Sequence, residues 1–278
     1  VKRFLTVGTV LLALAGSSGA FTQQTSTATG ASKATQPAGK HVPQAKTHPE
    51  FNDYNAAYAL SGGAVLEKAA DEFAARYADS ELKVFLYSKA MHDYQQENNP
   101  AKMLSVGNKV LQLDPDNTIA LVLTATVLAD GLSDQDANRQ EKAERVKKTA
   151  SHALETMDSA FTPPANASPE QVNAFKSTLQ SMAHSALGIV ALKMNDDAKA
   201  ENELKMASDL NKTQPDPYIW YHLALAQDHQ KKYDEALVSV KQAIQNAASS
   251  PDLGELAKSE EKRLITLTGG TAPTPKPK

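Results

Sequence analysis

The stretch "IWYHLALAQDHQKKYDEALVSVKQAI", residues 219–244, is two apolar-striped helices joined by a lysine-bearing turn, and it carries the only tryptophan of the chain. On the first helix Trp220, Leu223 and Ala224 recur at three-to-four spacing. On the second, Ala236, Leu237, Val240, Ala243 and Ile244 do the same, which is the period of a helix with one buried face. The small side chains of Ala224 and Ala236 let the two helices approach closely, while Trp220 and Leu223 fill the space between them. A pair this short exposes too much oily surface to stand alone, so something must cover it. Self-similar neighbours are the first thing to look for in such a chain.

Similar hairpins recur upstream with a period near 34 residues. Residues 181–216 hold Leu187-Gly188 on a first helix and Ala200, Leu204 and Ala207 on a second. Residues 84–117 carry Tyr87, Ala90, Met91 and Tyr94, then Met103, Gly107 and Val110, and end in "LQLDPDN". Pro115 ends that hairpin because it disfavours helical geometry in its predecessor, and Asn99-Pro100 starts its second helix with a cap and a first-turn proline. Residues 50–83 fit through Ala57, Leu60, Ala69 and Phe73. The hairpin from Thr118 has Leu121, Ala125 and Leu128, then "ADGLSDQDANRQ" delays its second helix by about six residues, as loops of repeats tolerate. "SPEQ" at 168–171 predicts a capping box that starts one long helix through Phe175, Leu179 and Ala186. A closing helix is expected over 250–267, apolar at Leu253, Leu256, Ala257 and Leu264.

These phrases resemble the tetratricopeptide repeat, whose pattern runs W-x2-L-G-x2-Y, then A-x3-F, then Pro. Here Gln227 takes the tyrosine position and Val240 the phenylalanine position. The resemblance implies an all-α fold: a right-handed superhelix, or α-solenoid, of about five hairpins plus a C-terminal capping helix, with the first helix of each pair lining a concave groove. It also implies the side chains facing that groove, namely Tyr54, Tyr58, Ser88, His92, Gln95, Val122, Thr126, Ser185, Ile189, Tyr221, Leu225 and Asp228. Partner-binding there would rest on tyrosines, which bring contact area at little rotamer cost.

The flanks differ in kind. Lys2 and Arg3, an apolar run from Phe4 to Ala15 and the small residues Ser18, Gly19 and Ala20 have the layout of an export signal cleaved after Ala20. The run is too short for a bilayer-crossing helix, so residues 1–20 are expected to leave, 21–48 to be a disordered linker, 49–268 the repeat domain and 269–278 a disordered tail. That predicts an exported protein, periplasmic or otherwise extracytoplasmic, with no integral span after cleavage.

Composition narrows the chemistry. The chain has 278 residues, 41% of them hydrophobic, with 29 basic and 32 acidic side chains. No basic excess exists to neutralise phosphates, so nucleic acid is not an expected partner. The absence of cysteine removes disulfides, thiolate metal sites and a cysteine nucleophile. The histidines show no HExxH or comparable spacing, no GxSxG elbow occurs, and no Gly-rich phosphate loop follows a strand. No metal and no cofactor are expected. Binding a peptide or protein without catalysis is the leading expectation. A spacer between envelope components is one alternative, and a hydrolase using His222, Asp228 and His229 is another.

Overall fold

The computed structural model describes residues 43–163 and 167–269. The expected leader, most of the expected linker and nearly all of the expected tail lie outside the described residues. Those described form eleven α-helices and one 3-10 turn, with no strand among them. The chain is an all-α solenoid of five consecutive hairpins and a closing helix. The hairpins are α1 (His48–Tyr58) with α2 (Gly63–Arg76), α3 (Lys83–Gln96) with α4 (Pro100–Leu113), α5 (Thr118–Gly131) with α6 (Arg139–Ala160), α7 (Pro169–Lys193) with α8 (Asp197–Leu210), and α9 (Pro217–His229) with α10 (Tyr233–Asn246). Helix α11 (Pro251–Leu267) closes the row. Each second helix packs on both its own partner and the first helix of the next pair, or on α11 at the end of the row.

Local chemistry sets the helix starts. Asn99 accepts from the Lys102 amide at 3.2 Å, Asn117 from Ala120 at 3.1 Å and Asp196 from Lys199 at 3.2 Å, each satisfying a donor that has no partner within its helix. At α7 the reciprocal box forms: Ser168 Oγ accepts from the Gln171 amide, and Gln171 Oε1 accepts from the Ser168 amide at 2.8 Å. One uninterrupted helix of 25 residues follows, as the stripe predicts.

The core is a row of small clusters rather than one ball. Leu66, Phe73, Leu86 and Met91 anchor the first, Val146, Met157, Leu179 and Ile189 the second, Leu204 and Leu223 the third, and Leu237, Val240 and Leu264 the last. A fully buried leucine contributes about 2 kcal/mol, and each cluster unites side chains of adjacent elements. Helix α5 belongs to two of them. It buries Ala120, Leu123 and Val127 with the preceding pairs and Leu121, Val122, Ala125 and Ala129 with the following ones, so it is apolar almost all round.

Glycine appears where helices nearly touch. A Cβ on Gly188 would lie 2.6 Å from Leu204 Cγ, and one on Gly63 would lie 2.3 Å from Tyr94 Cδ1. Both are closer than any real side chain tolerates.

Candidate functional site

Seven of the twelve residues expected to face the groove are half-buried: Tyr54, Tyr58, Ser88 and His92 on α1 and α3, and Tyr221, Leu225 and Asp228 on α9. The other five require a correction. Gln95, Val122, Thr126, Ser185 and Ile189 are 8%, 0%, 2%, 0% and 1% exposed, so they meet protein and not solvent. The cause for Val122 and Ile189 is the direct packing of α7 on α5, which merges their side chains into one cluster. Thr126 turns its hydroxyl back onto its own helix, donating to Val122 O at 2.9 Å. The expected face therefore splits into two stretches, one on α1 and α3, the other on α9.

At the first stretch, Tyr54 and Tyr58 lie 5.5 Å apart between ring centroids, and Tyr54 meets Phe73 edge-on at 6.3 Å. Burial raises the pKa of both phenols, because the phenolate would lose its hydration. Lys89 sits over the Tyr58 ring at 5.7 Å, within cation-π reach. These tyrosines both pack and present a partly exposed surface. Along α3, three charged side chains reach back to the α1–α2 turn. Lys89 donates to Leu60 O at 2.6 Å, and Asp93 and Glu97 accept the amides of Gly62 and Gly63, each at 2.7 Å. The residue before α2 is Gly62, which has no side chain to cap it, so the next pair caps it from outside.

At the second stretch, Tyr221 stands 6.0 Å from His222 in an edge arrangement, and its pKa is raised by burial and by Glu260 of α11. Asp228 is paired with Arg263 of α11. The three residues of the hydrolase alternative go to different partners. His229 Nδ1 donates to Asp197 at 2.9 Å, His222 Nδ1 donates to Tyr218 O at 2.8 Å, and Asp228 holds Arg263. These contacts hold the three side chains on separate partners. Among the described residues no group of three or more histidine or carboxylate side chains is placed to hold a metal ion, and no helix is long and apolar enough to cross a membrane.

Two polar hubs that sequence reasoning missed join successive hairpins. Lys193, at the end of α7, donates to Ala129 O, Asp130 O and Leu132 O at 2.8, 2.8 and 2.9 Å, closing the C-terminus of α5 with a cation, as the helix dipole favours. Burial lowers its pKa, opposed by Asp130, Asp134 and Asp136. Glu201, only 4% exposed, accepts from Lys205 at 2.6 Å, Lys232 at 2.5 Å and Gln230 at 2.9 Å. Burial would raise its pKa, but these donors outweigh it and bring the carboxyl down to about 2 from 4.5. A folded-state pKa below the unfolded one stabilises fully above the unfolded value and ceases to do so as pH falls through the folded one. Acid titration followed by circular dichroism is thus expected to show wild type more stable than Glu201→Gln at pH 7, with the gap closing from pH 4.5 towards 2. A constant gap would mean that the ionised form is not what stabilises.

No protein-family model matches the chain, and no curated protein sequence matches it. Among solved structures it is similar to the crystal structure of a thermophilic TPR protein from Thermus thermophilus, at 17% identity and a TM-score of 0.45. The likeness covers 76% of this chain and 98% of the other.

Proposed function

We propose that the chain is an exported, non-catalytic scaffold that holds an extended peptide or a protein surface against the first helices of its hairpins. The observation that carries this reading is the half-exposed row of Tyr58, Ser88 and His92 on the successive first helices α1 and α3. Such a row is a preformed surface, which limits the ordering cost of association. The pairing of His222, Asp228 and His229 with separate structural partners favours binding over hydrolysis. The basic, apolar and small-residue layout of residues 2–20 supports export, with the body working in the periplasm or another extracytoplasmic space.

Site-specific photo-crosslinking in the native envelope tests this. A crosslinker at Ser88 or His92 is expected to trap a partner that one at Lys68, on the exposed side of α2, does not, and the crosslinker-bearing chain itself is expected to begin at Phe21. Adducts from Lys68 alone would instead indicate a spacer attached through its second helices, and an uncut leader would overturn the export step.

A further inference from the structure

The five hairpins are not joined in the same way. Where the second meets the first, Lys89 and Asp93 of α3 and Glu97 just after it seize the α1–α2 turn, and Tyr87 and Tyr94 donate to Asp71 and Glu67 of α2 at 2.7 and 2.8 Å. Where the fourth meets the third, Lys193 takes the three carbonyls at the end of α5, and Arg139 returns a hydrogen bond to Lys193 O. Where the fifth meets the fourth, His229 and Gln230 hold Asp197, and Gln230 and Lys232 hold Glu201. In each case the later part of a first helix, or the turn just after it, grips the turn between the two helices of the pair before it, or a helix end beside that turn, through directional polar bonds.

The junction between the second and third hairpins is built differently. One 34-residue repeat after Lys89, Asp93 and Glu97 stand Leu123, Val127 and Gly131, and Leu123 and Val127 pack into the core of the first two pairs. The gripping face has become a greasy one. Across this junction α5 lies against α4 at Gly107, where an added Cβ would come within 2.9 Å of both Met91 Cε and Thr124 Oγ1. Among first helices α5 packs broadly on α7, the contacts of α1 with α3, of α7 with α9 and of α9 with α11 are slight, and α3 and α5 touch less still. The polar tie across the junction comes from the second-helix side, where Arg145 of α6 donates to Asn108 of α4 at 2.6 Å, while His152 of α6 meets Asp116 of the α4–α5 connection at 2.8 Å.

We propose that this junction is a hinge, with the apolar α4–α5 contact as its bearing and the α6 ties to Asn108 and Asp116 as its pivot line. Apolar contact resists separation but has no preferred direction, so it yields to rocking where hydrogen-bonded clasps do not. Two packed bodies sliding or rotating about such a contact is an established mode of conformational change. The bodies here are residues 43–113 and 118–269. Tyr54, Tyr58, Ser88 and His92 ride on one, and Tyr221, Leu225 and Asp228 on the other, so rocking changes the spacing of the two exposed stretches. This stands independently of whether they bind a partner.

The cysteine-free sequence allows spin labels to be placed at will on the full chain. Labels at Asn55 and Asn173, both exposed, span the hinge. Pairs Asn55 with Gln96 and Asn173 with Val238 stay within one body each and sit at exposed positions too. Double electron–electron resonance is expected to give a distance distribution for the spanning pair about twice as wide as for either control. Equal widths for all three pairs, in samples whose helical content matches wild type, would overturn the hinge.

Discussion

Replacing Gly63 by alanine is expected to destabilise the first two hairpins by about 3 kcal/mol, the upper range for overpacking a filled core. The new Cβ would stand 2.3 Å from Tyr94 Cδ1 and 2.6 Å from Cε1. The ring cannot step aside freely. Tyr94 is 2% exposed, and its hydroxyl is tied to Glu67 at 2.8 Å. Moving the backbone instead would break the Gly63 amide's bond to Glu97. Thermal unfolding followed by far-UV circular dichroism measures the loss. Pairing Gly63→Ala with Tyr94→Leu is expected to cost less than the two single changes summed, because the second makes room for the first. Strict additivity would show that the clash is relieved elsewhere and that the ring is not the obstacle.

Lys193→Met is expected to have an effect of similar size, about 3 kcal/mol. Methionine keeps the unbranched stem and removes the ammonium, leaving the carbonyls of Ala129, Asp130 and Leu132 without their shared donor. Because neighbouring repeats are coupled chiefly to one another, the damage should be concentrated at the third and fourth hairpins. Native-state hydrogen exchange tests this through the last turn of α5 and the first of α6, whose amides should lose protection while those of α2 and α10 keep theirs. Unchanged exchange at α5 would mean that water replaces the ammonium at little cost.

Much of the fold was legible in the residues themselves. The three-to-four spacing of Ala236, Val240 and Ala243, the capping box at 168–171 and the Asn-Pro and Asp-Pro punctuation are short-range signals, and the helices begin and end where these place them. The candidate site was less legible because exposure is a property of neighbours. Position along a first helix says which way a side chain points relative to its own partner, yet the helix that carries Val122 and Thr126 is covered by one from the following hairpin. A clue was present: "TIALVLTATVLA" is apolar on every face, and a helix of that kind is enclosed on all sides. Likewise a helix opening on Gly62-Gly63, with no capping side chain of its own, asks for an outside acceptor. Nothing local says that Asp93 and Glu97, 31 and 34 residues later, will supply it.

Apart from the bond Arg139 returns to Lys193 O, the grips between hairpins run in one direction, from a later helix back onto an earlier turn. During synthesis, then, each gripped turn awaits a helix that has not yet emerged from the ribosome. A nascent chain stopped after α2 would have the Gly62 and Gly63 amides bare, and one stopped after α6 would leave the end of α5 uncovered. At these turns closure would lag by one hairpin, and a product terminated there would carry a frayed turn at its trailing end, where a protease can begin.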